Sequence, residues 1–238
     1  MILLKVDLAK AFDTVTLPFL LEVLEHIGFP LSWRNWISSV VGSSSTKVLI
    51  NGRPGHRICH ARGLRQGDPL SPFLFIIVME VLDALIAEAD RRAVLTALPG
   101  RAVSCQALVY ADDLVVFLHP SAQDFTCIRQ ILELFAGASG LSTNLDKCTM
   151  TPIRCSEEDI QGVQHVFPYR IQEFPTKYLG APLSLSRLGR ADEQRLVDAV
   201  AARIPTWKGG LLTNAGRATL TQTTLSAIPI HVSICCNL

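Results

Sequence analysis

Ala107-Leu108-Val109-Tyr110-Ala111-Asp112-Asp113-Leu114-Val115-Val116-Phe117-Leu118 sets two adjacent carboxylates between two apolar runs. Short β-branched and aromatic runs parted by a polar pair predict a tight hairpin with the carboxylates at its tip. Adjacent aspartates repel, and a cation between them relieves the repulsion. A divalent ion is the usual partner, because Mg²⁺ takes carboxylate and water oxygens together with substrate phosphates. An ordinary Asp-Asp surface turn explains the same residues, so the choice rests on the rest of the chain.

Residues 2–8 read as a buried strand with Asp7 near its end, and Lys10-Ala11-Phe12-Asp13 turns away from it. Residues 17–27 have helical periodicity, with Pro18 at the start and Gly28 at the stop. A second helix is expected over 32–41. Strands at 47–50 and 57–60 flank Asn51-Gly52-Arg53-Pro54-Gly55, a strong hairpin signal. The polar loop from Arg62 to Pro72 leads into a long apolar helix over 73–91. In that loop Gln66 is wedged between Arg65 and Gly67, where backbone can approach a ligand closely. Residues 92–104 read as a connection. After the aspartate hairpin come a helix over 122–138 ended by Gly140, a strand over 143–150 and a helix start at Ser156-Glu157-Glu158-Asp159. Tyr178-Leu179-Gly180 reads as a strand-turn element, and two tail helices, 190–204 and 216–227, flank Trp207-Lys208-Gly209-Gly210.

The chain of 238 residues is long enough for one large domain or two small ones. With 49% hydrophobic and 18% charged residues it can build a sizeable core, which argues against disorder. The net charge of +1 predicts no partner. From Arg170 onward, however, eight Lys/Arg face four Asp/Glu, which suits a surface touching phosphates and equally a solvated helical face. Seven cysteines with no C-x-x-C pair predict free buried thiols in a reducing, intracellular compartment, cytoplasm or nucleus. The opening residues, with Lys5 and Asp7 so early, do not read as a signal peptide. The longest apolar run, 72–82, holds Glu80 and is too short to span a bilayer, so no membrane partner is expected.

This order of elements predicts an α+β fold, a mainly antiparallel sheet with helices packed on one face. In such a sheet the end of the first strand and the hairpin tip can lie side by side, bringing Asp7, Asp112 and Asp113 together. Three carboxylates on neighbouring strands suit two metal ions roughly 3.5–4 Å apart and in-line phosphoryl transfer.

Three ordered stretches carry a more specific resemblance. They are Lys5-Val6-Asp7-Leu8-Ala9-Lys10-Ala11-Phe12-Asp13, then Gly63-Leu64-Arg65-Gln66-Gly67-Asp68-Pro69-Leu70-Ser71-Pro72, then Tyr110-Ala111-Asp112-Asp113. Together they resemble the palm motifs of reverse transcriptases, most closely those of plant LINE-type, non-LTR retrotransposons. Residues 144–147, Tyr178-Leu179-Gly180 and the tail from Leu211-Leu212-Thr213-Asn214-Ala215-Gly216-Arg217 to Ile228-Pro229 resemble later motifs of that group. Group II intron maturases share the palm, but the tail matches the plant LINE pattern better.

The resemblance implies an antiparallel palm over residues 1–184 and a small helical thumb over 185–238. It implies that Asp7, Asp112 and Asp113 bind two Mg²⁺ (or Mn²⁺), with the Leu8 carbonyl as a candidate further ligand. A DNA primer 3′-hydroxyl would attack the α-phosphate of a dNTP on an RNA template and release pyrophosphate. Phe12 matches the position whose ring blocks a ribose 2′-hydroxyl, with plain core packing as the alternative. Gln66 and Gly67 would lie along the template and incoming base, and Tyr110 near the primer end unless it is a buried strand tyrosine. Lys147 matches a lysine that protonates pyrophosphate, or is simply exposed. Tyr178, Leu179 and Gly180 would form the primer grip, and the basic tail would hold the RNA–DNA duplex by its backbone.

Reverse transcriptases of this type carry a fingers subdomain before the first catalytic strand, and an endonuclease upstream. Neither precedes Asp7 here, so the expectation is an N-terminally truncated fragment with impaired polymerase activity. The alternative of another class is a non-catalytic retroelement remnant that at most binds nucleic acid.

Overall fold

A computed structural model of the chain describes residues 1–98, 106–186, 190, 194, 197, 198, 201, 202 and 212–225. By its internal contacts the chain divides into two units, Met1–Ile171 and Gln172–Leu238.

The first unit is built around Ile2–Asp7 (β1). Ile2, Leu3, Leu4 and Val6 are all at most 2% exposed, as expected of a central strand covered on both faces. The strand pairs antiparallel with Asp113–Leu118 on one side and with Thr149–Pro152 on the other. Its register sets Ile2 opposite Leu118, Leu4 opposite Val116 and Val6 opposite Leu114. Because side chains alternate along a strand, this set shares one face. It joins a core with Leu20 and Leu24 of the helix Leu17–His26 (α2), Phe75, Val78 and Leu82 of Ser71–Arg91 (α4), and Ile128 and Phe135 of Ala122–Ser139 (α5). The opposite face carries Leu3, Lys5 and Asp7, across from Phe117, Val115 and Asp113.

The remaining elements of this unit fall into place around that frame. Ala11–Thr14 (α1) is a single helical turn after Lys10, and Leu31–Gly42 (α3) follows α2. Ser45–Ile50 (β2) and Arg53–Cys59 (β3) form a separate, largely exposed hairpin. Ala107–Tyr110 (β4) and Asp113–Leu118 (β5) form the aspartate hairpin. Thr149–Pro152 (β6) and Arg170–Ile171 (β7) complete a five-stranded sheet of order β4-β5-β1-β6-β7, in which the β6–β7 pairing is parallel. Glu157–Gln164 (α6) opens on a capping box between Ser156 and Asp159. Asp124, fully buried near the start of α5, accepts from the Thr96 amide at 3.1 Å and hydroxyl at 2.9 Å, which pins the chain after α4 to α5. The α+β expectation therefore holds: a mainly antiparallel sheet, with α2, α4 and α5 sharing the core on one face.

The second unit contains Thr176–Tyr178 (β8) and Ala181–Leu183 (β9), an antiparallel hairpin, and the helix Asn214–Leu220 (α7). Thr213 caps α7 by accepting from the Gly216 amide, and a π-helical turn, Thr221–Leu225, follows. The expected helix over 190–204 and the Trp207–Gly210 stretch lie mostly outside the described residues, as do 99–104 of the connection.

The strand expected over 143–150 is reduced to β6. Asn144 takes part in a turn instead: its carbonyl accepts from the Lys147 and Cys148 amides, both at 3.1 Å. Turn chemistry at Asn144 and Asp146 outweighs the strand pattern there. In the first hairpin the turn is Asn51-Gly52 alone, both at positive φ, and Arg53-Pro54-Gly55 belong to β3. The two-residue β7 was not anticipated. Of the described cysteines Cys148 is buried, Cys127 and Cys155 are intermediate and Cys59 is exposed, so the thiols are free but not uniformly buried. No described helix is long and apolar enough to cross a membrane.

Candidate active site

Asp7 ends β1 and is held from two sides. Its carbonyl accepts from the Asn144 amide at 2.7 Å, and its own amide donates to the Cys148 thiol at 3.4 Å. A bridge between Leu8 and Thr143 continues this contact through the Ala9 amide, which donates to the Ser142 carbonyl at 2.8 Å. The bridge leaves the Leu8 carbonyl outside its hydrogen bonds. Burial pushes the Cys148 thiol above its ordinary pKa. The Tyr169 hydroxyl beside it is also raised, by burial first and then by the thiol. Both groups are therefore neutral near pH 7.

Asp113 stands directly opposite Asp7 in the β1–β5 register. The turn between β4 and β5 is Ala111-Asp112, with Ala111 at φ +53°. A left-handed alanine at the first turn position is strained, and such strain is typical of functional loops. Tyr110, just before the turn, is 65% exposed, which rules out the buried-tyrosine alternative.

A lysine approaches each facing carboxylate. Lys147 Nζ is 3.7 Å from Asp7 Oδ2, and Lys5 Nζ is 3.7 Å from Asp113 Oδ1. Among the described residues no group of three His, Cys, Asp or Glu side chains converges as a metal site. The expected trio is thus a facing pair, Asp7 and Asp113, with Asp112 beside it in the turn. Two carboxyl side chains on one face supply the hard oxygen donors that a divalent cation such as Mg²⁺ requires. The donor chemistry fits such an ion.

The loop before α4 is docked against α1. The Gly63 amide donates to the Val15 carbonyl at 2.7 Å, and the Leu64 amide to the Phe12 carbonyl at 2.6 Å. Gly63 has φ +92°, and a Cβ there would lie 2.6 Å from the Asp13 carbonyl oxygen, so only glycine fits. Gln66 Nε2 donates to Asp13 Oδ1 at 3.2 Å, and Gly67 lies beside it. Together Asp13, Thr46, His60, Arg62, Arg65 and Gln66 line a polar cavity of about 650 Å³. Phe12 is half-buried and stacks on Phe75 with ring centroids 4.5 Å apart, so core packing accounts for one side of its ring. Tyr178 ends β8, and Leu179-Gly180 forms the β8–β9 turn, both at positive φ; these three belong to the second unit.

Three contacts of this site escaped the sequence reading: Lys5 on Asp113, Cys148 under Asp7, and Asp13 on Gln66. The period-two rule could have found Lys5, which shares a strand face with Asp7. Nothing in the sequence signals the other two, which depend on segments far apart in the chain.

The family model described as reverse transcriptase (RNA-dependent DNA polymerase) matches residues 1–183. The Pol polyprotein of a type-1 R2 retrotransposable element from Nasonia vitripennis is 31% identical over 195 residues, covering 82% of this chain and 18% of that protein. One from Popillia japonica is 30% identical over 147 residues, covering 60% of this chain and 23% of its own length. An uncharacterized mitochondrial protein of Arabidopsis thaliana is 46% identical over 70 residues, which is 27% of this chain and 55% of that protein. The chain thus spans about a fifth of the length of the retrotransposon polyproteins it matches. With the family match running through β1, the Gly63–Pro72 loop and the aspartate hairpin, this chain belongs to the reverse transcriptase (RNA-dependent DNA polymerase) family.

Proposed function

We propose that the chain is the palm-centred part of an RNA-directed DNA polymerase from a non-LTR retrotransposon, extending a DNA primer on an RNA template with dNTPs. The observation that carries this reading is the Asp7–Asp113 register, with Asp112 in the adjoining turn. A divalent cation, when bound there, supplies Lewis acidity for the attacking hydroxyl and charge for the leaving oxygens. Asp7 and Asp113 would hold that ion, with Asp112 and the Leu8 carbonyl beside them. Lys147 carries a proton on Nζ close to Asp7, where a leaving pyrophosphate can accept it. Phe12, backed by Phe75, limits the room beside the sugar. Gln66 is steadied by Asp13 and faces the polar cavity along the template side. The tail after residue 184 is assigned as thumb, with Tyr178-Leu179-Gly180 as primer grip. A plant LINE origin and an intracellular site of action belong to the same reading.

A second reading draws on the lysine contacts. With both facing carboxylates already approached by cations, and no three-ligand cluster among the described residues, the chain could bind nucleic acid without catalysis. Primer extension separates the two. With an annealed RNA template and DNA primer, dNTPs and Mg²⁺ or Mn²⁺, incorporation is expected, and Asp113→Asn should lower it by at least about 100-fold. Retention of primer–template with no incorporation under either metal, even when a fingers segment is supplied, would favour the second reading and sink the first.

A further inference from the structure

Lys5 lies two residues before Asp7 on β1, so the pleat puts both side chains on the face opposite the helices. The register places Val115 across from Lys5 and Asp113 across from Asp7. Lys5 therefore reaches Asp113 along the diagonal, a contact within range of a long side chain. Its Nζ is 3.7 Å from Asp113 Oδ1, and its side chain is 28% exposed. Leu3 and Val115, on the same face, are buried.

Lys147 contrasts with it. That side chain is 68% exposed and springs from the turn after Asn144, so it can swing into solvent. Lys5 is rooted in the middle of the central strand, and its shorter reach into solvent leaves its ammonium beside Asp113. The ammonium is in effect a built-in countercharge on one of the two facing carboxylates.

We infer that Lys5 is a positioning residue that weakens divalent-cation binding at the Asp7–Asp113 pair by occupying Asp113 from behind. This rests on the metal-dependent reading of the site given above. A fixed positive charge beside the carboxylates subtracts from their attraction for any further cation. A site weakened in this way takes its ion together with the phosphate oxygens of an incoming nucleotide, since Mg²⁺ is commonly held by one or two carboxylates plus substrate phosphates.

Metal binding by the full chain without nucleotide tests this directly, with free Mn²⁺ followed by electron paramagnetic resonance. Lys5→Met keeps the aliphatic stem and removes the charge, and is expected to bind Mn²⁺ about three- to tenfold more tightly than the unaltered chain. Lys5→Gln should move the same way, so that a packing defect in one variant does not decide the matter. Lys5→Arg retains the charge and should stay within about twofold. Asp113→Asn should bind more weakly than all of them. Circular dichroism melts confirm that each variant is folded. If Asp113→Asn loses the ion while Lys5→Met and Lys5→Gln bind no more tightly than the unaltered chain, the role given to Lys5 is wrong and the metal site stands. If Asp113→Asn, the unaltered chain, Lys5→Met and Lys5→Gln all titrate identically, the metal site itself falls, and the role of Lys5 with it.

Discussion

Phe12 packs against Phe75 and is also the residue proposed to stand beside the nucleotide sugar, two roles that its sequence position could not separate. One side of its ring stacks on Phe75 of α4, and its backbone carbonyl accepts the Leu64 amide of the loop before that helix. The same ring, in the proposed reaction, stands beside the sugar of the incoming nucleotide. Phe12→Ala is therefore expected to reduce discrimination against ribonucleotides by roughly 10- to 100-fold, the range a single apolar steric contact supplies. It should also cost stability, because the stacked pair is lost. Competitive incorporation of dNTP and rNTP, read beside a urea melt, distinguishes a ring that selects from one that only packs. Unchanged selectivity in a folded variant would reduce Phe12 to a core residue.

The elements around the site depend on close backbone approaches rather than on long side chains. Gly63 lets the loop before α4 press against α1, with the Asp13 carbonyl where a Cβ would be. Gly63→Ala must shift that backbone and also adopt φ near +92°, so it should destabilise the protein by about 2–4 kcal/mol. Because Gln66 hangs from the same loop, incorporation should fall further than the loss of folded protein explains. Chemical denaturation alongside specific activity per folded molecule measures both. A loop that tolerates alanine without either effect would mean that α1 and this loop are not rigidly coupled. The aspartate hairpin and the existence of α2, α4 and α5 were legible from apolar period, Pro starts and Gly stops. The strand expected over 143–150 was not, because Asn144 spends its backbone on Asp7 and on a local turn, and no nearby residue announces a partner so far along the chain.

For the molecule as a whole, burial of titratable groups behind β1 makes stability depend on pH. Cys148 and Tyr169 are both shifted upward, chiefly by desolvation of their charged forms. In the native state they keep their protons at pH values where the unfolded chain, with ordinary thiol and phenol values, has begun to lose them. Stability should accordingly decline as pH rises from about 8.5 through 11. Tyr169→Phe should show a shallower decline in urea midpoint over that window; an equal decline would place its cause elsewhere. The sequence by itself determined the α+β class, the order of the motifs and the identity of Asp7, Asp112 and Asp113 as candidate ligands, because apolar period and turn chemistry are local properties of the chain. Only the tertiary structure decided which carboxylates face each other, that Lys5 and Lys147 accompany them, and that Cys148 and Asn144 hold Asp7 from beneath. Those facts follow from strand register and from long-range contacts, which join residues over a hundred positions apart; of them, only the shared face of Lys5 and Asp7 was legible in the chain's period.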